Sequence, residues 1–142
     1  MNILILNGPN LNLLGSREPE IYGRRDEAAL VRFLSDCCRE CGVSYEFHQS
    51  NREDELVERI QQAPHRFDAI VLNPAAFTHT SVAILDALRA AELPAVEVHL
   101  SDVDSREPFR RISYPGQACV RTFAGRGFES YRDAIRFLSE NN

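Results

Sequence analysis

A chain of 142 residues with a net charge of -5 and 44% hydrophobic residues has the size and composition of one globular domain with its own core. The acidic balance argues against nucleic acid as the main partner, since phosphate binding needs a basic face. No stretch nears the roughly 20 apolar residues of a membrane span, and the short N-terminal apolar run lacks the basic segment of a signal peptide, so the expected compartment is the cytoplasm.

The chain opens with the apolar run Ile3, Leu4, Ile5 and Leu6, which predicts a buried strand. Residues 7–23 form a connection far longer than a usual strand-to-helix loop, rich in Asn and Gly yet carrying Leu11, Leu13, Leu14 and Ile21. Such a loop packs against the fold, and an overlong loop after a first parallel strand is where α/β proteins place chemistry. Residues 26–40 have helical spacing, with Asp26 as N-cap and Gly42 as C-terminal stop. Residues 43–49 alternate as a strand, and Ser50 or Asn51 is placed to cap a helix over 53–62 that ends at Ala63 and Pro64.

Residues 68–73 read as an apolar strand of the parallel-sheet kind, followed by a loop over 74–80 and a helix capped by Thr80 or Ser81 and ending near Ala91. Residues 94–100 predict a fourth strand. The stretch 101–114 is polar and Arg-rich, with Pro108 and Pro115 limiting regular structure. Residues 118–123 predict a fifth strand and 130–140 a closing helix, with Tyr131, Ala134, Ile135 and Leu138 in register. Strands alternating with helices imply βαβ units and a three-layer α/β fold around a parallel sheet, with the whole chain as one domain.

Ligands of such a sheet bind at the carboxyl ends of its strands. The residues falling there are Asn7, Asn10, Asn73, His99 and Ser101. An amide there can polarise a carbonyl, and an imidazole can move a proton near neutral pH. Gly8 and Gly15 do not form G-x-G-x-x-G, and Pro9 with the large Leu residues obstructs a phosphate cradle. All 16 basic residues are arginine, so no side chain can form a Schiff base or act as a Walker lysine.

Arg17 and Tyr22 are the other reactive candidates in the first loop. A tyrosinate base working near pH 7 needs about 3 pKa units, or roughly 4 kcal/mol. One Arg at about 4 Å supplies about 4 kcal/mol at an effective dielectric of 20. Cys37, Cys38, Cys41 and Cys119 lack the paired ligands of a zinc site and read as reduced thiols on and beside a helix. A rival from another class is a flavodoxin-like module that binds a flavin or small ligand without chemistry; a third is a silent scaffold whose arginines serve assembly.

The same residues carry a family pattern. Asn7-Gly8-Pro9-Asn10-Leu11-Asn12-Leu13-Leu14-Gly15 with Arg17-Glu18-Pro19 and Tyr22-Gly23 is followed by Gln49-Ser50-Asn51, then Asn73-Pro74 with Thr78-His79-Thr80-Ser81. Glu97-Val98-His99-Leu100-Ser101 and Arg106-Glu107, Phe109-Arg110 and Ser113-Tyr114 complete the order. In these motifs the sequence closely resembles the type II 3-dehydroquinate dehydratases, which convert 3-dehydroquinate to 3-dehydroshikimate on a flavodoxin-like fold with a five-stranded parallel sheet.

The resemblance implies Tyr22 as base, Arg17 as its activator, His99 as the acid that protonates the departing hydroxyl, and Asn73 as the group that supports the enolate with a water. It further implies substrate contacts from His79, Asp86, Arg110 and the Leu100-Ser101 pair, the last two holding the carboxylate. No metal or organic cofactor is implied. Trimers assembled into a dodecamer are implied, with Asp86 reaching a neighbouring subunit's site, and residues 16–23 are expected to form a lid hinged at Gly15 and Gly23. The chain departs from the family pattern at Asn51-Arg52-Glu53-Asp54 for Asn-His-Glu-Gly, at Ala75-Ala76-Phe77 for Gly-Ala-Tyr, at Ser113-Tyr114-Pro115-Gly116, and at Arg121 and Arg126. None of these replaces a catalytic residue.

Overall fold

The computed structural model describes residues 1–16, 18, 20 and 24–141. Five strands, β1 (Asn2–Asn7), β2 (Ser44–Gln49), β3 (Ala69–Asn73), β4 (Ala95–His99) and β5 (Arg121–Ala124), form one parallel sheet in the order β2-β1-β3-β4-β5. That is the flavodoxin-like strand order. Around it pack the α-helices α1 (Glu27–Cys41), α2 (Glu53–Gln62), α3 (Val82–Ala91) and α4 (Glu129–Glu140).

Alternation along the central strands divides the core into two layers. Ile3 and Ile5 of β1 and Val71 of β3 join Leu30 and Leu34 of α1 and Ile135 of α4 on one face. Leu4, Leu6, Ile70 and Leu72 meet Leu56, Ile60, Ile84 and Leu88 of α2 and α3 on the other. Because β1 and β3 are covered on both faces, nearly every residue in them is apolar. Each such buried aliphatic side chain stabilises the fold by about 1.5–3 kcal/mol.

Helix ends follow local chemistry in two cases. Asp26 caps α1 by accepting from the Ala29 amide at 2.8 Å, and Gly42 closes it at φ +66°. Ser81 caps α3 by accepting from the Ile84 amide at 2.9 Å. The expected Ser50 or Asn51 cap of α2 is not formed. Its N-cap is Arg52, and the Ser50 hydroxyl accepts from the Arg52 amide while donating to the Glu55 carboxylate in the first turn.

The fifth strand also begins later than the alternation predicts. Pro115–Ala118 closes as a 3₁₀ turn, and Val120, 63% exposed, precedes the ladder that starts at Arg121 opposite Val96. The polar stretch after β4 holds only short 3₁₀ turns, Val103–Ser105 and Pro108–Arg110. In the first loop Leu11 and Leu14 are buried, whereas Leu13 is 44% exposed.

Candidate active site

The carboxyl edge of the sheet is drawn together by contacts between loops. The Gly8 amide donates to the Asn73 carbonyl at 2.8 Å, joining the ends of β1 and β3. A methyl group on Gly8 would lie 2.4 Å from the Pro74 carbonyl oxygen, so only glycine permits this approach. From the end of β2, Gln49 donates to the Gly8 carbonyl at 3.2 Å, and the Asn51 side chain accepts from the Asn10 amide at 2.9 Å. Asn10, held by the Asn51 side chain, is in a left-handed conformation at φ 68°.

A crevice of about 40 Å³ opens where these loops meet the end of β4, with Asn10, Ala76, His79, His99, Ser101 and Arg110 on its walls. A neighbouring cavity of about 610 Å³ shares Leu100, Ser101 and Arg106 with it and takes Glu20 and Arg25 from the N-terminal loop. The walls therefore combine imidazole, amide, hydroxyl and guanidinium groups, a set suited to an oxygen-rich anionic ligand.

His99 is buried, with Nε2 3.2 Å from Glu97 Oε2. The two alternate along β4, so the strand's period of two puts both side chains on one face. Glu97 also accepts from Ser113 Oγ at 2.5 Å and Thr122 Oγ1 at 2.9 Å. Burial pushes the Glu97 carboxyl up, but the hydrogen bond and charge of His99, with the Ser113 and Thr122 hydroxyls, outweigh it and leave it below its ordinary value. The carboxylate thus stays charged beside His99, orienting the ring and leaving Nδ1 as the nitrogen that can serve the crevice.

Beneath the crevice Asn73 is almost wholly buried. Its Oδ1 accepts from the Ala75 amide at 3.1 Å, and its Nδ2 donates to the Tyr131 phenol at 3.0 Å. An amide has two donors and two acceptor positions, so one N–H and one lone pair of Asn73 remain.

A family model, dehydroquinase class II, matches residues 1–139. The chain is 49% identical over 138 residues to "3-dehydroquinate dehydratase 2" of Pseudomonas putida, covering 97% of this chain and 93% of that one. It is 53% identical over 133 residues to the 3-dehydroquinate dehydratase of Aeromonas hydrophila, covering 94% and 89%. The crystal structure of the type II dehydroquinase from Butyrivibrio crossotus superposes with a TM-score of 0.95 at 42% identity, covering 97% of each chain. The chain belongs to the class II dehydroquinase family.

Of the site residues that the resemblance implies, the fold brings His79, His99, Leu100, Ser101 and Arg110 to one crevice. His79 is held by its Nδ1 against the Ile112 carbonyl at 2.8 Å, and Arg110 by Glu107 at 2.6 Å. Asn73 lies below the crevice and Asp86 stands on the exposed side of α3; neither is on the crevice wall. Arg17, Tyr22 and Gly23, read as activator, base and hinge, lie outside the described residues. Gly15, the other expected hinge, has φ +87°, and a side chain there would meet the Arg24 carbonyl at 2.8 Å.

Sequence reasoning did not single out Glu97, Arg106 or Tyr131 as site residues. For Glu97 the signal was present: a charged residue within an apolar parallel strand, two positions before His99. Arg106 lines both cavities and stands 3.8 Å from Glu18. The four cysteines are free thiols, as expected, and burial pushes those of Cys38 and Cys119 up to about 12. Arg52 pairs with Asp54 at 2.8 Å, Arg126 with Asp133 at 2.5 Å, and Arg121 lies over the Phe123 and Phe137 rings. No helix among the described residues is long and apolar enough to cross a membrane.

Proposed function

We propose that this chain is a type II 3-dehydroquinate dehydratase, removing water from 3-dehydroquinate by trans-elimination through an enolate. The observation that carries the reading is the buried His99–Glu97 pair opening onto a crevice with Arg110 and Ser101, in a member of this family. Tyr22 as tyrosinate, held charged by Arg17, takes a proton from the carbon beside the ketone. The electron pair moves onto the ketone oxygen, where a water ordered by the remaining Asn73 N–H supports the enolate. Collapse of the enolate expels the hydroxyl as water, with His99 giving it a proton.

His79, Ser101 with the Leu100 backbone, and Arg110 would hold the hydroxyls and the carboxylate, Arg110 by a charge-assisted bond. With no lysine in the chain, a Schiff-base route has no amine side chain to use. The route needs no metal or organic cofactor.

The chain would act as one catalytic domain in the cytoplasm, assembled in trimers within a dodecamer, with Asp86 completing a neighbouring subunit's site. Val82 on the helix of Asp86, and Phe109 and Ile112 beside Arg110, are exposed apolar side chains that suit such an interface. Sedimentation of the pure protein tests this; a monomer with full turnover would refute the part given to Asp86.

The activity is tested by mixing the protein with 3-dehydroquinate and following the absorbance of the enone product. No turnover above background refutes it, and a yellow protein inert to the substrate favours a flavin-binding module instead. Tyr22→Phe and Arg17→Ala should each lose turnover far more than affinity, and a near-wild-type rate in either removes that residue from the mechanism.

A further inference from the structure

A single chain of hydrogen bonds runs under the site through residues far apart in sequence. Its first member is the Ala75 backbone N–H, a donor whose polarity cannot invert, bonded to Asn73 Oδ1 at 3.1 Å. Asn73 must therefore turn Nδ2 toward Tyr131 Oη, at 3.0 Å. Having accepted that bond, the phenol sends its proton to Asn7 Oδ1 at 2.7 Å. Asn7 Nδ2 ends the chain, buried and without a hydrogen-bond partner among the described residues. Every step follows from the one before, so one backbone amide fixes the sense of both strand-end amides, provided that the phenol lies between them.

Ring packing alone does not explain this residue. Tyr131 is 0% exposed, 58 positions from Asn73 and 124 from Asn7, and its ring belongs to the α4 side of the core. Phenylalanine would fill the same core space. Burial pushes the phenol's pKa up, offset only in part by the bonds to Asn73 and Asn7, so it remains a proton carrier that can donate and accept at once.

We propose that Tyr131 is a positioning residue for the elimination: its hydroxyl anchors the Asn73 amide in the orientation that the Ala75 N–H selects, so that the N–H not used by the phenol serves the enolate. This rests on the role given to Asn73 under the proposed function. Tyr131 does not touch the substrate, and it acts through Asn73.

The test is Tyr131→Phe, which keeps the ring and deletes the hydroxyl, assayed with 3-dehydroquinate well below its unfolding temperature. Loss of one orienting hydrogen bond should lower kcat about tenfold and leave KM within about twofold. A role in packing alone would lower the unfolding temperature and leave kcat of the folded protein unchanged, which overturns the proposal. In the Asn73→Ala background, Tyr131→Phe should cost nothing further in kcat, and additive losses overturn it as well.

Turnover that falls in Asn73→Ala but not in Tyr131→Phe refutes the positioning role and spares the proposed reaction. Wild-type turnover in Asn73→Ala removes the Asn73 role and this inference with it, whereas an inert wild-type protein refutes the reaction itself. If Tyr131→Phe does not fold, Asn7→Ala frees the phenol from its acceptor instead. A fall in kcat of about threefold is then expected, and an unchanged kcat overturns the inference.

Discussion

Replacing Glu97 by Gln takes away the carboxylate charge paired with His99 and alters almost no volume. In the wild type Oε2 accepts from His99 and Ser113, and Oε1 accepts from Thr122. A glutamine has a single acceptor oxygen. It can keep that oxygen toward His99 and Ser113 while its NH₂ faces the Thr122 hydroxyl, which can reverse and accept. The number of hydrogen bonds is preserved, and the charge on them is lost.

At 3.2 Å a full charge pair is worth about 5 kcal/mol at an effective dielectric of 20, a ceiling that desolvation lowers. A hydrogen bond to a charged group contributes about 1.5–3 kcal/mol. At 1.36 kcal/mol per decade, a loss of that size confined to the transition state is about 10- to 150-fold in kcat. KM should change little, since Glu97 does not line the crevice. Steady-state kinetics on enone formation, with circular dichroism to show that the variant folds, gives the answer. A folded Glu97→Gln protein with kcat within about twofold of wild type would refute a charged Glu97 as the support of His99.

Glu97 also links stability to acid. Its folded pKa lies below the ordinary value of 4.5, so the stabilisation is fully present above about pH 4.5 and is lost as pH falls through the lower folded value. Urea unfolding between pH 6 and pH 3 should show that loss in the wild type, reduced in Glu97→Gln; equal slopes would contradict it. Gly8→Ala forces a methyl group against Pro74 and should cost about 1–3 kcal/mol in urea unfolding, with a change below 0.5 kcal/mol counting against the close approach. Ala75 holds φ +51° where the family resemblance has glycine. Ala75→Gly should relieve strain of about 1–2 kcal/mol against about 0.4–1 kcal/mol of added unfolded-chain entropy, and so stabilise slightly; a clear loss of stability would refute the strain.

The parallel sheet was legible because β1 and β3 are apolar between their ends, at Ile3 to Leu6 and Ala69 to Leu72, as strands covered on both sides must be. Helix α1 announced both its ends through Asp26 and Gly42, whose bonds are to residues within one turn. At the start of α2 local pattern could not decide the cap, because the Ser50 hydroxyl can serve the Arg52 amide and the Glu55 carboxylate, both within five residues of it. Residues 118–120 have strand composition, but Val120 stays exposed and the 3₁₀ turn at Pro115–Ala118 takes up the start of that stretch. His99 could be read as a site residue because exposure begins where β4 ends. Tyr131 could not, since its place in an apolar helical stripe gives no sign of what its hydroxyl meets across the sheet.

The order in which the chain is made gives that last contact a temporal meaning. A nascent polypeptide that has reached residue 73 already contains β1 with both of its partner strands. Asn7 and Asn73 can then be neighbours while the residue that bonds to both is still to be synthesised, since Tyr131 sits in α4, among the last residues of the chain. The β2-β1-β3 part of the sheet can thus assemble early, whereas the polar floor under the crevice is finished only when the final helix docks. Clipping that helix away would remove the link between the two amides together with the Ala134, Ile135 and Leu138 side chains that cover that face of the sheet.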